Sequence, residues 1–418
     1  MDPSRPHRRG VTVPALDQVL SHLGTTRTWQ EELYRHLHAH PELGLREEKT
    51  RTLIAERLAE LGYEVRTAGG GVVGVLANGP GPVVLSRADI DGLPVKEETG
   101  LPYASTDTTV DESGQTVGLM HACGHDAHIT CLLGAAALLA AQRDAWSGTF
   151  LALFQPAEET AAGARSMVDD GLTDLIPRPD VAFAQHVLGH EAGVLATQTG
   201  PVLSAGDSIR ITVFGKGSHG SMPHLGVDPV VLASAIVLRL QSIVSREVAP
   251  GEFAVVTVGA LNAGSKSNVI PDRATLLVNL RTYDTRTRER VVAAVERIVR
   301  GECAAAGSPH QPTFEYYDQF PLTDNDAEVT STVTEAFRAH FGTERVIPLG
   351  RVPASEDFSR IPDAFGTPYT YWGLGGFAPG TGVPNHSPFF APLIQPTLDA
   401  GTQAVVVAAM AYFGKDLS

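Results

Sequence analysis

Short apolar runs that stop at polar residues recur between residues 72 and 184, and they constrain the fold more than any other feature. Such runs predict β-strands at residues 72–76, 83–86, 149–154 and 181–184. Helical patterns occur around and between them, at residues 28–40, 50–61 and 128–142. Because strands alternate with helices, we predict an α/β fold in which ligands bind beyond the carboxyl ends of the strands.

The pattern changes near residue 208, where a second set of elements begins. It predicts a strand at 208–214, a helix at 229–245, strands at 252–261 and 273–282, a helix at 285–306 and a strand at 313–317. This β-α-β-β-α-β order is that of a ferredoxin-like α+β unit. Helices near residues 326–341 and 395–413 then return to the α/β pattern. We therefore predict a discontinuous α/β domain at residues 1–203 and 314–418, with a ferredoxin-like domain inserted at residues 204–313.

Composition narrows the partners and the compartment. A chain of 418 residues with 43% apolar content can bury two cores, and its formal charge of -15, without a basic patch, disfavours nucleic acid and membrane surfaces as partners. The cysteines, Cys123, Cys131 and Cys303, lack the spacing of a disulfide framework. Residues 1–11 have no apolar run typical of a signal peptide, and the longest apolar stretches are shorter than the roughly 20 residues of a membrane span. We expect a cytoplasmic protein.

Potential metal ligands are concentrated at residues 121–126 (HACGHD). Cys123 and His125 could present a thiolate and an imidazole to one side of a turn, and both groups suit a borderline-soft divalent cation. The alternative is a small buried cysteine beside surface histidines.

Two glutamates and two further histidines follow other strands or lie in loops. Glu158 and Glu159 come directly after the predicted strand at 149–154, so one could bind a metal while its neighbour reaches a metal-held water. His186 follows the strand at 181–184, and His386 lies in the loop at 384–388 (PNHSP). An adjacent pair of glutamates is commonly a solvated face and a loop histidine is commonly exposed. The recurrence of Cys, His and Glu at these positions nevertheless indicates one shared metal site.

The motifs resemble those of the M20 metallopeptidase superfamily over nearly the whole chain. The amidohydrolase branch matches best, with its hippurate hydrolases, auxin-conjugate hydrolases and N-acyl-amino-acid aminoacylases. The matching segments are residues 40–43 (HPEL), 87–94 (RADIDGLP), 120–126 (MHACGHD), 155–159 (QPAEE), 217–220 (GSHG), 267–271 (SNVIP) and 385–388 (NHSP). A finer resemblance, to bacterial aminoacylases that cleave N-acyl-glutamine conjugates, rests on residues 146–149 (WSGT) and 243–248 (IVSREV).

The resemblance implies a phosphorylase/hydrolase-like catalytic domain with a binuclear metal site. Its ligands would be Cys123, His125, Glu159, His186 and His386, with the thiolate shared between two divalent ions. A thiolate favours zinc, while manganese and cobalt stay open. Glu158 would be the general base. Many relatives have His-x-Asp where this chain has Arg87-Ala88-Asp89, which implies that Asp89 orients a ligand rather than binding metal.

The resemblance also implies roles for the inserted domain as a lid. The family's counterpart of His219 helps to hold the oxyanion, often from the neighbouring subunit, so we expect a homodimer formed through the lid. Asn268 and Arg281 look like the holders of the substrate carboxylate, a task that suits the bidentate geometry of arginine. His219 could instead be a plain loop residue, and Arg281 a surface charge at a strand edge.

Together these features predict a metal-dependent amidohydrolase that cleaves N-acyl-amino acids to a carboxylic acid and a free amino acid. A dipeptidase or carboxypeptidase of the same superfamily is a second hypothesis. An inactive, metal-stabilised binding module is a third, although such a module would not need Glu158 beside Glu159. A zinc nucleobase deaminase would carry a Pro-Cys-x-x-Cys element, which the sequence lacks.

Overall fold

The computed structural model describes residues 13–110 and 114–413, and the segment at 1–11 that was considered for a signal peptide lies outside these residues. The chain forms two compact units. The large unit comprises the described residues of Met1–Val202, Asp324–Gly350 and Asp357–Ser418. The small unit comprises Leu203–Thr323 and Arg351–Glu356.

The described residues form the following elements in chain order. The α-helices are α1 (Val13–Leu20), α2 (Leu23–Ala39), α3 (Glu48–Glu60), α4 (His125–Ala141), α5 (Gly163–Asp169), α6 (Leu172–Leu175), α7 (Pro229–Arg246), α8 (Thr285–Ala305), α9 (Ala327–Phe341), α10 (Arg360–Phe365) and α11 (Ile394–Met410). The strands are β1 (Glu64–Ala68), β2 (Gly71–Asn78), β3 (Val83–Asp89), β4 (Thr108–Val110), β5 (Thr116–Gly118), β6 (Gly148–Gln155), β7 (Val181–Glu191), β8 (Leu195–Thr197), β9 (Gly200–Leu203), β10 (Ala205–Phe214), β11 (Ser218–His219), β12 (Ala254–Ala263), β13 (Val269–Ile270), β14 (Arg273–Thr282), β15 (Thr313–Phe320), β16 (Thr323–Asn325), β17 (Val346–Pro348) and β18 (Tyr369–Phe377).

The large unit is built on an eight-stranded mixed sheet in the order β1-β2-β6-β3-β7-β18-β8-β17. Strand β3 runs parallel to both β6 and β7, and β7 runs parallel to β18. These strands are buried along most of their length, as expected for parallel strands covered on both faces. Asp89 pairs in register with Gln155, so the carboxyl ends of β3 and β6 meet at one edge of the sheet. The predicted α/β class is confirmed.

Helix α4 begins at His125, three residues before the predicted start at residue 128. The helix starts there because Gly124 adopts a left-handed φ of 86°, a conformation that glycine enters without strain. The apolar periodicity does not predict this start, because histidine and aspartate occupy the first turn. The consequence is that His125 and Asp126 lie within a buried helix and not in a loop.

The small unit has the ferredoxin-like topology predicted from the sequence. Its four strands form an antiparallel sheet in the order β12-β14-β10-β15, and α7 and α8 pack on this sheet. Each helix begins after an aspartate whose side chain accepts backbone N–H groups of the first turn, Asp228 for α7 and Asp284 for α8. The unit extends past the predicted boundary at residue 313 because β15 is one of the four strands.

Helix α7 is long and apolar enough to cross a membrane by length and composition alone. A core helix of a globular unit can meet the same two criteria. Leu232, Ile236, Leu240 and Ile243 form its buried face and belong to the apolar core that also contains Ile209 and Leu276 of the sheet. In this structure, α7 is therefore a packing helix of the small unit.

Candidate metal centre

All of the predicted metal ligands belong to the large unit, and they converge on one place. Cys123 precedes α4, His125 opens it, Glu159 follows β6, His186 lies within β7, and His386 lies in the connection from β18 to α11. The Sγ atom of Cys123 lies 3.5 Å from Nε2 of His186. Glu159 bridges the others, with Oε2 at 3.2 Å from Nε2 of His386 and Oε1 at 3.9 Å from Nε2 of His125. The structure thus brings the predicted ligands together, and their binding of metal stays a prediction.

Glu158, the predicted general base, is next to this cluster. It is buried in the short 3-10 helix Glu158–Thr160 that follows β6. A carboxylate oxygen of Glu158, a carboxylate oxygen of Glu159 and a ring nitrogen of His125 all lie within 4.8 Å of one another. The two adjacent glutamates therefore face the same cluster.

Two buried atoms of the cluster show that it fits a cation. Among the described residues, neither His125 Nε2 nor Glu159 Oε1 has a hydrogen-bond partner. An unpaired buried polar atom costs about 1–3 kcal/mol. A divalent cation between these atoms would satisfy both, and the donor set of thiolate, imidazole and carboxylate is one that zinc accepts.

The protonation equilibria point to the same conclusion. Burial, together with the charges of Glu159 and Glu158, holds the pKa of the Cys123 thiol well above its ordinary value. Burial opposes protonation of His125, but the facing carboxylates of Asp89, Asp91 and Glu159 outweigh it and raise the pKa of His125 to about 10. The cluster is therefore rich in negative charge that a cation would compensate.

The backbone and Asp91 orient the two buried histidines. Nδ1 of His125 lies 2.9 Å from the carbonyl oxygen and 3.2 Å from Oδ1 of Asp91, which leaves Nε2 facing the cluster. Nδ1 of His186 bonds to the carbonyl oxygen of Val187 at 2.9 Å, so its Nε2 faces Cys123. Asp91 was not among the residues predicted for the site. Its signal was the second carboxylate of the RADID segment, two residues after Asp89.

Asp89, which we expect to orient a ligand, contacts two histidines and Arg87. Its Oδ1 bonds to Nδ1 of His128 at 2.5 Å, and its Oδ2 accepts from Nη1 of the buried Arg87 at 2.7 Å. His128 in turn accepts a hydrogen bond from the backbone N–H of Val187 at 2.8 Å. Asp89 therefore fixes His128, and its Oδ2 also lies 3.5 Å from Nε2 of His125. Its role as an orienting residue stays a prediction.

The predicted residues of the small unit lie at its two opposite ends. His219 pairs with Val269, and the backbone N–H of Gly220 donates to the carbonyl oxygen of Asn268 at 2.8 Å, so His219 and Asn268 are neighbours and both are exposed. Both lie beyond the end of β14 that begins at Arg273. Arg281 lies eight residues after Arg273 on this strand, which is about 26 Å from Arg273 at the usual rise of a strand.

This separation applies within one copy, and the role of Asn268 and Arg281 as holders of the substrate carboxylate stays a prediction. The two side chains of one copy cannot reach the same carboxylate. Nε of Arg281 donates to Oδ1 of Asn279 at 2.9 Å, and Arg281 also donates to the hydroxyl of Ser355. Burial lowers the pKa of its guanidinium.

Comparison with known proteins agrees with the geometry. The model of peptidase family M20/M25/M40 matches residues 85–411. The N-acetyl-L-cysteine deacetylase of Bacillus subtilis (strain 168) is 36% identical over 356 residues, which are 82% of this chain and 79% of that protein. The hippurate hydrolase of Campylobacter jejuni is 38% identical over 334 residues, 78% of this chain and 83% of that protein.

A solved structure extends the comparison to the fold. The YXEP protein of Bacillus subtilis, described as a dinuclear metal-binding peptidase from the M20 family, superposes with a TM-score of 0.75 at 29% identity, covering 93% of this chain and 98% of that one. The chain belongs to peptidase family M20/M25/M40, in its amidohydrolase branch. It is therefore a hydrolase of amide bonds, with a site that fits a metal centre.

Proposed function

We propose that this protein hydrolyses the amide bond of N-acyl-amino acids, releasing a carboxylic acid and a free amino acid. The observation that carries the proposal is the convergence of Cys123, His125, Glu159, His186 and His386 beside the buried Glu158. Relatives named for the deacetylation of N-acetyl-L-cysteine and the hydrolysis of hippurate support the substrate class. The five residues would hold two divalent ions, zinc in the first place, with manganese and cobalt as the alternatives.

The chemistry assigns separate tasks to the two glutamates. Bound metal would lower the pKa of water and polarise the substrate carbonyl. Glu159, placed between His125 and His386, would bind metal. Glu158 would take a proton from the attacking water and deliver it to the nitrogen as the C–N bond breaks. General acid–base catalysis of this kind contributes roughly 10²- to 10⁴-fold.

A matched pair of variants tests this division. We expect Glu158→Gln to keep the metal content of the wild type and to lose turnover by about 10²- to 10⁴-fold. Glu159→Gln should lose metal as well as activity, because it removes a charged ligand. Metal analysis and rates on one preparation of each variant distinguish the two. Full activity of Glu158→Gln would refute the base assignment.

A substrate panel tests the reaction itself. N-acetyl-amino acids, N-benzoyl-amino acids and N-acyl-glutamine conjugates should be cleaved in preference to dipeptides. Because the YXEP neighbour is described as a peptidase, dipeptide hydrolysis is the second candidate function. Faster cleavage of free-amine dipeptides would favour it. No hydrolysis by the fully metallated protein across the panel would instead indicate a binding module.

The small unit supports a homodimer. Because Arg281 lies about 26 Å along β14 from Arg273, at the end of the unit that carries His219 and Asn268, both ends could serve one substrate only if two copies contribute. Helix α7 exposes Val231 and Leu238, which are 65% and 76% exposed, and β12 is an edge strand of the small sheet. Exposed apolar side chains and an unpaired strand edge are features of association surfaces.

Mixing two inactive variants tests whether His219 acts across the dimer. Glu158→Gln and His219→Ala are each expected to be nearly inactive. If His219 serves the partner's site, a mixed dimer contains one site with both residues intact, and activity should return on mixing. Absence of recovery, in a sample shown to exchange subunits, would place His219 within its own copy.

The three cysteines of the chain are free and buried. This supports the reducing, cytoplasmic location expected from their spacing. Fractionation of cells that express the protein at its natural level is the direct measurement.

A further inference from the structure

The turn that carries Glu158 and Glu159 has a strained backbone. Ala157 has a φ of 44° and Ala161 a φ of 54°, both in the left-handed region. A residue with a side chain pays about 1–2 kcal/mol for this conformation. Surrounding contacts must therefore hold the turn in place, and with it the direction of Glu158.

Three buried carboxylates bind backbone N–H groups of this turn and of the helix after it. The N–H of Ala157 donates to Oε1 of Glu47 at 2.8 Å, that of Glu159 to Oδ2 of Asp91 at 3.1 Å, and that of Ala164 to Oδ2 of Asp357 at 3.1 Å. All three acids are essentially inaccessible to solvent. A buried carboxylate is costly unless it is well bonded, so each of these hydrogen bonds restrains the backbone of the segment.

Glu47 differs from the other two acids in having no second task at the site. Asp91 also orients His125, and Asp357 accepts from the amide of Gln155. In the described part of the chain, the carboxylate of Glu47 accepts the backbone N–H of Ala157 and no side-chain donor. Its interactions connect the loop before α3 to the strained turn.

The loop that carries Glu47 approaches the turn closely at Gly44. A Cβ atom at Gly44 would lie 3.0 Å from both Cα and Cβ of Ala157. Glycine at this position therefore allows the loop to pack directly against Ala157, which is the residue before Glu158. The hydrogen bond of Glu47 and this contact restrain the same left-handed residue.

We propose that Glu47 is a positioning residue that holds the left-handed turn at Ala157 and thereby aims Glu158 at the metal cluster. The inference rests on the proposed role of Glu158 as the base. Rotation about the backbone of Ala157 would displace the carboxylate of Glu158, and a displacement of about 1 Å can cost about 10²-fold in rate.

Glutamine is a suitable rescue for Glu47. Burial, together with the charge of Asp91, raises the pKa of the Glu47 carboxyl to about 7, so the folded site already tolerates an uncharged side chain near neutral pH. The amide oxygen of glutamine can accept the N–H of Ala157 as the carboxylate does. Alanine removes the acceptor, and aspartate is one methylene too short to reach it in the same geometry.

Glu42 provides a matched control in the same loop. Its Oε2 accepts from the backbone N–H and the hydroxyl of Thr50 at 2.8 and 2.9 Å, at the start of α3. Among the described contacts, it makes none with the turn at 157–164. Glu42→Ala therefore perturbs the loop and α3 without removing the bond to Ala157.

The experiment compares Glu47→Ala, Glu47→Gln and Glu42→Ala with the wild-type holoenzyme. For Glu47→Ala we expect kcat to fall about 10- to 100-fold, KM to stay within about twofold and metal content to be unchanged. Hydrogen exchange of a peptide covering residues 155–164 should quicken at least about tenfold. Glu47→Gln should restore kcat to within about threefold and restore the protection, and Glu42→Ala should leave both as in the wild type.

Several outcomes would overturn the proposal. It fails if Glu47→Ala keeps kcat within about twofold of the wild type, if its loss of activity follows a loss of metal, or if Glu47→Gln folds and is as defective as the alanine variant. Should Glu47→Ala not fold, Glu47→Asp takes its place, with the same expected loss. The exchange measurement separates this proposal from the proposed function: a wild type that cleaves no substrate refutes the latter, whereas unchanged exchange in Glu47→Ala refutes the former.

Discussion

The large unit buries histidines and carboxylates at the edge of its sheet, whereas the small unit carries two of its candidate functional groups on the surface. His125, Asp89 and Glu158 are buried, and His219 and Asn268 are exposed. The interior of the small unit is an apolar core, and its buried Asp207 is matched by two hydrogen bonds from Arg288, at 2.6 and 2.7 Å.

Buried candidate residues affect the stability of the fold as well as function, whereas exposed candidate residues can affect function alone. A concentration of buried charge without full pairing is unfavourable for folding, so in the large unit it indicates a site that a bound cation completes. The small unit needs no such completion. Removing its exposed candidates should therefore change function without changing stability, and the following predictions test that contrast.

Among the variants that test this contrast, the largest effect is expected for His219→Ala. If His219 holds the oxyanion, its loss should lower kcat about 10²- to 10³-fold, while the free energy of unfolding changes by less than about 0.5 kcal/mol because the side chain is exposed. Steady-state kinetics and urea unfolding provide the two measurements. His224→Ala, at another exposed histidine of the same unit, is the control and should change neither. A large loss of stability in His219→Ala would break the contrast.

Removal of metal should destabilise the large unit alone. Metal at 100 to 1,000 times its dissociation constant stabilises the folded state by about 3–4 kcal/mol, and chelation removes this contribution. We expect hydrogen exchange to quicken at residues 121–128 and 185–187 and to stay unchanged in β10 and β14. Equal loss of protection in both units would show that they unfold together.

The free energy of unfolding should change with pH because of the protonation of His38. Burial disfavours protonation of His38, but its bonds to Asp126 at 2.7 Å and Glu97 at 3.1 Å outweigh it and raise the pKa of His38 to about 9. The ordinary pKa of histidine is about 6.5, so the stabilisation is complete below pH 6.5 and is lost as the pH rises through about 9. Its size is on the order of 3 kcal/mol.

Urea unfolding at pH 6.5 and pH 9.5 measures this effect. The difference in the free energy of unfolding between the two pH values should disappear in His38→Gln. His340→Gln is the matched control, because His340 bonds to the amide of Gln403 and not to a carboxylate. A pH dependence that survives in His38→Gln would assign it to other groups.

The smallest effect is expected for Arg288→Ala in the small unit. The change leaves the buried Asp207 with a hydrogen bond from Gln319 and without its cation, which should lower the free energy of unfolding by about 1–2 kcal/mol, since Arg288 itself is partly exposed. Turnover should stay within about twofold of the wild type. A loss of turnover larger than the loss of stability would show that this ion pair also serves the site.

The sequence predicted best those features that depend on local patterns. The strands β3, β6 and β7, the ferredoxin-like order of the small unit and the ligand candidates from Cys123 to His386 follow from periodicity, from residue chemistry and from motifs. Such signals are contained within a few neighbouring residues, so they are readable without coordinates.

Tertiary structure decided which of these residues meet. Asp91 bonds to Nδ1 of His125, a contact across 34 residues of sequence that no local pattern predicts. Arg281 and Asn268 are separated by the length of a strand, and Glu47 reaches Ala157 across 110 residues of sequence. Contacts of this kind depend on the relative placement of elements, which the packing of the whole core determines. The residue types and their order were therefore enough for the fold and the class of site, and only the folded chain showed which of these residues lie together.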